Sequence, residues 1–255
     1  MKNKNRKNHI YILDDLRGIA ILTVVFYHYF FIYFKDIDTA NIFITYYKVL
    51  NDYVNFGAFG VSLFFIVSGF VIPMSLKGSN KKIVLHNFLI KRFFRLYPTY
   101  WFAIIVISTT ILLFKDSNAY TIKQILINFT MLQDFFKTKS IDGVFWTLMI
   151  ELKFYFLTAL FFYFGYLKHI KYIVFLFLLI SSVTLYLSFI DGTRGFGNGL
   201  FSYLMLMYLG TAFYSFYTRV ITKTILSILV ILVSLYFLNN HFFLTGHDYG
   251  ARFGY

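Results

Sequence analysis

The chain has 255 residues, of which 59% are hydrophobic, 23% aromatic and only 14% charged. So apolar a composition excludes a water-soluble globular domain, and the absence of cysteine excludes a disulfide framework and thiolate chemistry. The net charge of +13 invites a nucleic-acid reading, but the basic residues flank hydrophobic runs instead of forming a groove, so no nucleic-acid partner is expected.

The first hydrophobic run is Ile10–Phe34. It is too long for a signal-peptide core and no small-residue cleavage site follows, so it reads as a retained helix. Further helices are expected over Phe56–Leu76, Leu96–Phe114, Phe145–Leu167, Tyr172–Ile190, Leu200–Tyr217 and Thr224–Leu238. Ile122–Phe136 is apolar but shorter and broken by polar residues, which suits an interfacial or re-entrant segment or a short extra span. The expected fold class is all-α: a polytopic transmembrane helical bundle of about seven spans plus that short segment. Residues 1–9 form a basic cytoplasmic N-terminus, 10–240 the membrane domain and 241–255 a polar tail.

Charge sets the expected orientation. Lys2, Lys4, Arg6 and Lys7 precede the first run; Lys77, Lys81, Lys82, Lys91, Arg92 and Arg95 lie between the second and third; Lys168, Lys171, Arg219 and Lys223 join them on the same side. By the positive-inside rule these face the cytoplasm, making a multi-pass plasma-membrane protein with its N-terminus inside. Asp36, Asp38, Asp52, Asp116, Asp134, Asp142, Asp191 and Asp248 all fall on the outer side. A full crossing by Ile122–Phe136 would put Lys168 and Lys171 outside, which disfavours it.

Buried ionisable groups in membrane spans are functional candidates. Arg17 and His28 lie eleven residues apart in the first run. That is about three turns, so they share a face and stand roughly 16 Å apart along the axis. Asp14 can pair with Arg17 at i, i+3. Glu151, the only glutamate in the chain, lies one to two turns into the fourth expected helix. This places it, with His28, in the outer half, where a carboxylate could orient an imidazole acting as general base. Arg92 and Arg95 lie at i, i+3 on a helix at the inner edge, where paired guanidinium forks suit phosphates. Gly57, Gly60, Ser68 and Gly69 would let a backbone or ligand approach the second helix closely.

Four patterns in order now resemble a known family. Asp14, Leu16, Arg17, Gly18, Ala20 and His28 form the first. Gly60, Val61, Leu63, Phe64, Phe65, Ser68, Gly69 and Phe70 form the second. Arg92, Arg95, Pro98 and Tyr100 form the third, and Trp146, Leu148, Glu151, Phe154 and Tyr155 the fourth. This order over residues 10–160 resembles the integral-membrane acyltransferase-3 family, whose members O-acylate surface polysaccharides and other hydroxyl acceptors. Three positions depart from its usual pattern. Asp15 stands where glycine is usual, Ser62 where an acidic residue is common, and Thr147 keeps the hydroxyl of the usual serine. The chain is also short at its C-terminus for the family.

The resemblance implies acyl-CoA, usually acetyl-CoA, as co-substrate from the cytoplasm, with no bound cofactor or metal. It implies the bilayer and a glycan or other hydroxyl acceptor as partners. His28, Glu151 and Arg17 are the expected catalytic residues. Arg92, Arg95 and Arg17 are expected to bind acyl-CoA, with Asp14, Ser68, Trp146 and Tyr155 in support. Two alternatives stay open: a transporter or flippase-like protein using the same buried groups as a pathway, and an inactive truncated fragment. Inverted repeats would favour transport, and the sequence shows none. Gly192, Gly195, Gly197 and Gly199 read as a turn, because no strand precedes them as a phosphate loop needs. His241 and His247 are too loosely placed for a metal, and Asn128-Phe129-Thr130 reads as a chance sequon.

Overall fold

A computed structural model describes residues 10–34, 55–114, 121–190 and 197–244. Residues 1–9, 35–54, 115–120, 191–196 and 245–255, with Gly192, Gly195 and His247, lie outside the described residues, whereas Gly197 and Gly199, expected in a turn, instead open a helix over Gly197–Tyr217. Among the described residues there are eight α-helices and no strand. They are α1 (Tyr11–Phe34), α2 (Phe56–Met74), α3 (Lys81–Phe114), α4 (Ile122–Phe129), α5 (Trp146–Phe164), α6 (Ile170–Ile190), α7 (Gly197–Tyr217) and α8 (Lys223–Leu244).

Among the described residues, four helices are long and apolar enough to cross a membrane: α2, α5 with its leading 3₁₀ turn, α6 and α7. The other three of the seven expected spans fall on α1, α3 and α8, each of which includes residues whose side chains lie outside the described set. α3 carries five basic residues from Lys81 to Arg95. α3 also starts earlier than its apolar run, as one continuous helix of 34 residues. Asn80 begins it: its side-chain oxygen accepts from Lys82 N at 3.1 Å and Ile83 N at 3.3 Å.

The centre of the bundle is the pair α2 and α7, and glycine sets their separation. A Cβ on Gly69 would collide with the Met207 carbonyl, and one on Gly210 with the Ile66 carbonyl. Each helix therefore lays its glycine on the other's backbone, the close approach that small residues allow. Thr211 Oγ1 donates to Gly69 O at 2.9 Å across the same seam. α1 packs antiparallel on the other side of α2. There a Cβ on Gly60 would stand 2.8 Å from Ala20 O, and one on Gly57 2.6 Å from the Tyr27 ring. The close approach expected at Gly57, Gly60 and Gly69 is thus present at all three. The main core joins Phe65, Ile72, Phe88, Phe154, Tyr155, Met207 and Tyr208 from α2, α3, α5 and α7.

A second core lies between α3, α4 and α5 and contains Tyr100, Ile104, Met131, Ile141, Phe145 and Met149. It holds the segment that the sequence left between interfacial, re-entrant and spanning. Only Ile122–Phe129 is helical there, opened by a capping box between Thr121 and Gln124. Three α3 side chains then grip its end. Tyr100 Oη donates to Asn128 O at 2.7 Å, Trp101 Nε1 to Phe129 O at 3.0 Å and Tyr97 Oη to Thr130 O at 3.1 Å. Fully buried Asn128 closes the following loop. Its Nδ2 donates to Gln124 O and Lys139 O, and its Oδ1 accepts from Ile141 N. The loop reaches the flank of α5, where Asp134 pairs with Lys153 at 2.8 Å.

This segment shifts α5. Its first residue, Trp146, packs on Phe65 in the middle of α2 and on Tyr203 of α7. α5 therefore starts partway along the bundle, and residues on its first two turns sit deeper than an end-to-end span would put them.

Candidate functional site

Five polar side chains from three helices converge beside the lysine-rich end of α2 and α3. Arg17 of α1 has Arg95, Glu151, Asp14 and Tyr155 as its electrostatic neighbours. Tyr155 has Glu151, Arg92 and Arg95. On α5, Glu151 and Tyr155 are one turn apart, and the Tyr155 hydroxyl donates to Glu151 Oε1. Glu151 is 5% exposed and Tyr155 2%. A buried carboxylate needs partners, and here a phenol and a guanidinium supply them.

Arg92 is held on three sides. Its guanidinium lies 5.6 Å from the Phe88 ring centroid and 5.4 Å from that of Tyr155. Its Nη2 donates to Ser75 Oγ at 3.2 Å, and Ser75 Oγ donates to Ile72 O at 2.6 Å. Ser75 closes α2, so the end of one helix fixes a cation on the next. The buried Nε atoms of Arg17 and Arg92 have no hydrogen-bond partner among the described residues. Arg17 faces Glu151 and Asp14, and Arg92 and Arg95 face Tyr155 beside them, so guanidiniums outnumber carboxylates, with donors to spare. That composition attracts a further anion.

His28 is placed elsewhere. Its Nδ1 lies 2.8 Å from Val24 O in the preceding turn, and its ring meets the edge of Tyr27 at 5.5 Å. Tyr27 abuts Gly57, so His28 stands beside the start of α2, at the end opposite the arginines. The sequence analysis paired Glu151 with His28, whereas the structure sets Glu151 with Arg17, roughly 16 Å along α1 from His28. The shifted start of α5 is the reason.

The supporting residues are distributed around this cluster. Asp14 is exposed one turn before Arg17. Ser68 is fully buried in α2. Trp146 wedges between Phe65 and Tyr203 at the head of α5. Ser75, Asn128, and the pair Asp134 and Lys153 were not singled out as structural supports from sequence. Asn128 had been set aside as a sequon, although a lone asparagine in an apolar run is itself a signal for a buried polar clasp. Among the described residues, no group of three or more His, Asp or Glu is placed to hold a metal ion.

A family profile described as an acyltransferase domain, acyltransferase-3, matches residues 10–254. The chain belongs to the acyltransferase-3 family. Among curated proteins it is similar to nodulation protein 10 of Rhizobium leguminosarum bv. viciae, with 29% identity. That alignment covers 39% of this chain, and the chain spans about a third of the relative's length, 32%. No solved structure matches the chain.

Proposed function

We propose that the chain is a membrane-bound O-acyltransferase that moves an acyl group, acetyl in the simplest case, from acyl-CoA to a hydroxyl of an extracytoplasmic glycan. The observation that carries this reading is the cluster of Arg17, Arg92 and Arg95 beside Glu151 and Tyr155. An excess of guanidinium over carboxylate at one end of a membrane bundle, half-buried at Arg17 and Arg92 and exposed at Arg95, calls for an anionic ligand, and the cytoplasm supplies CoA thioesters. The diphosphate of the donor binds Arg92 and Arg95, with Arg17 as the third donor. Glu151 and Tyr155 keep the three cations in place.

Length supports the rest. From diphosphate to sulfur the pantetheine arm spans thirteen bonds, roughly 16 Å when extended. That equals the separation of Arg17 and His28 along one helix face, about 16 Å. The thioester would then lie beside His28. His28 takes the proton of the acceptor hydroxyl as its oxygen attacks the thioester carbon. The C–O bond forms, the C–S bond breaks, and the proton passes to the departing thiolate to give free CoA. Ser68 and Trp146 support the helices that line this path.

The test is CoA release from acetyl-CoA by protein reconstituted in membranes of the source cell type, with acylated glycan measured in parallel. His28→Ala should abolish both products. Arg92→Gln with Arg95→Gln should raise KM for acetyl-CoA at least tenfold. Near-normal turnover in His28→Ala would remove His28 from the mechanism, and failure of acetyl-CoA to bind would remove the donor class.

A further inference from the structure

Apart from the arginine cluster, the lysine-rich end holds an open cleft lined by Ser79, Asn80, Lys81, Lys82 and Tyr163. It lies between the start of α3 and the end of α5. Lys81 is fixed there, donating from Nζ to Tyr163 O at 3.1 Å. A second segment brings Lys168 alongside: a Cβ on Gly165 would stand 3.9 Å from Lys168 Cε and 4.0 Å from Lys81 Nζ. The first amides of α3 are already taken by Asn80 Oδ1. The cleft's free donors are therefore side chains: the Lys82 ammonium, the Ser79 hydroxyl and the remaining protons of Lys81. No carboxylate lines it. Simple topology needs only cations in the loop, whereas here lysines from two segments border one concave space.

We propose that this cleft binds the 3′-phosphate of the CoA donor, a subsite separate from the arginines that take the diphosphate. The inference rests on the acyl-CoA reading and adds a contact to it. Lys82 precedes Arg92 by ten residues on one unbroken helix, about 15 Å along the axis. In CoA, eight bonds join the outer, pantetheine-side phosphorus of the diphosphate to the 3′-phosphorus through the ribose, up to about 10 Å. The lengths of the two cationic side chains cover the remaining gap. The 3′-phosphate is a dianionic monoester, the form of phosphate that a pair of ammonium groups and a hydroxyl suit best. The three stations on the donor thus follow the bundle in order: cleft, arginine cluster, His28.

The experiment compares acetyl-CoA with acetyl-3′-dephospho-CoA as donors, and adenosine 3′,5′-bisphosphate with adenosine 5′-monophosphate as calorimetric ligands. The wild type should favour acetyl-CoA in kcat/KM by about tenfold, the size of one charge-assisted contact. Lys82→Gln should bring that ratio close to one and should abolish the preference for the bisphosphate. Lys91→Gln, an exposed lysine outside the cleft, should keep both preferences. Equal use of the two donors by the wild type, or an unchanged ratio in Lys82→Gln, would overturn the subsite. Both arms are run in vesicles of phosphatidylcholine alone and with added phosphatidylglycerol. A Lys82 effect that tracks the anionic lipid and ignores the donor's 3′-phosphate would assign the cleft to a headgroup and also overturn it. Turnover of neither donor, with the bisphosphate preference intact, would retain the cleft and remove the transfer reaction.

Discussion

Replacing Asn128 tests how the loop beside α5 is held. Its side chain makes three hydrogen bonds: to Gln124 O at 2.8 Å, to Lys139 O at 3.1 Å and from Ile141 N at 3.1 Å. Alanine removes all three and strands the Lys139 carbonyl. Gln124 O keeps its place in the α4 ladder. A neutral bond contributes about 1 kcal/mol net, and a buried group left unpaired costs about 1–3 kcal/mol. Asn128→Ala should therefore destabilise the protein by about 3–5 kcal/mol, lowering the unfolding midpoint by on the order of 10 °C. Asn128→Asp is the sharper variant. It keeps the acceptor for Ile141 but turns a carboxylate oxygen toward two carbonyl oxygens, so it should be no better than alanine. Thermal unfolding in detergent gives the stability, and tryptic cleavage after Lys137 or Lys139 reports release of the loop. A midpoint within 2 °C of wild type for Asn128→Ala, or clear rescue by aspartate, would refute the clasp.

Two further variants probe the helix seams and the charge cluster. Gly69→Ala drives a methyl into the Met207 backbone, where no side chain can yield, so it should cost about 1–3 kcal/mol or more. Gly18→Ala, with nothing within 4 Å, should leave the midpoint level or slightly higher, and equal midpoints for the two would contradict the packing. Glu151→Gln removes the charge facing half-buried Arg17 and weakens the acceptor of the Tyr155 hydroxyl, and should cost about 1–3 kcal/mol. Adding Arg17→Gln should recover part of that, and strict additivity in the double-mutant cycle would mean that the two do not interact.

Much of the architecture was readable because hydrophobic runs and glycines speak locally. The runs gave the helices, and Gly57, Gly60 and Gly69 gave the places where backbones meet. Arg17, Arg92, Arg95 and Glu151 stood out because ionisable groups in apolar surroundings need a reason. The partner of Glu151 was not readable, since it depends on depth. Depth depends on where α5 begins, and residues 121–145 set that through contacts between distant positions: Tyr97, Tyr100 and Trp101 on carbonyls of residues 128–130. Those bonds use backbone acceptors, which every sequence has, so no residue pattern announces them. The continuity of α3 was missed for a different reason: its basic turns were expected as a short separate helix. Its first turns are basic but contain neither glycine nor proline from Lys81 to Tyr97, and helix propensity carries them where hydropathy does not.

The depth of Glu151 also decides how the two ends of α1 divide the work. Had Glu151 reached His28, the imidazole would carry a carboxylate partner, and its ring would be turned by that contact. Instead Val24 O takes up Nδ1, leaving Nε2 as the nitrogen available to an acceptor. A backbone carbonyl can accept a proton-bearing Nδ1–H and so fixes the tautomer with Nε2 unprotonated, the form a general base requires. The same helix would supply, in the proposed reaction, a cation for the donor and a base for the acceptor, at a distance set only by its rise. In the proposed reaction the two sites need no shared side chain: the donor's own arm spans them. A neutral partner for His28 and a charged one for Arg17 follow from one structural cause, the loop that lowers the start of α5.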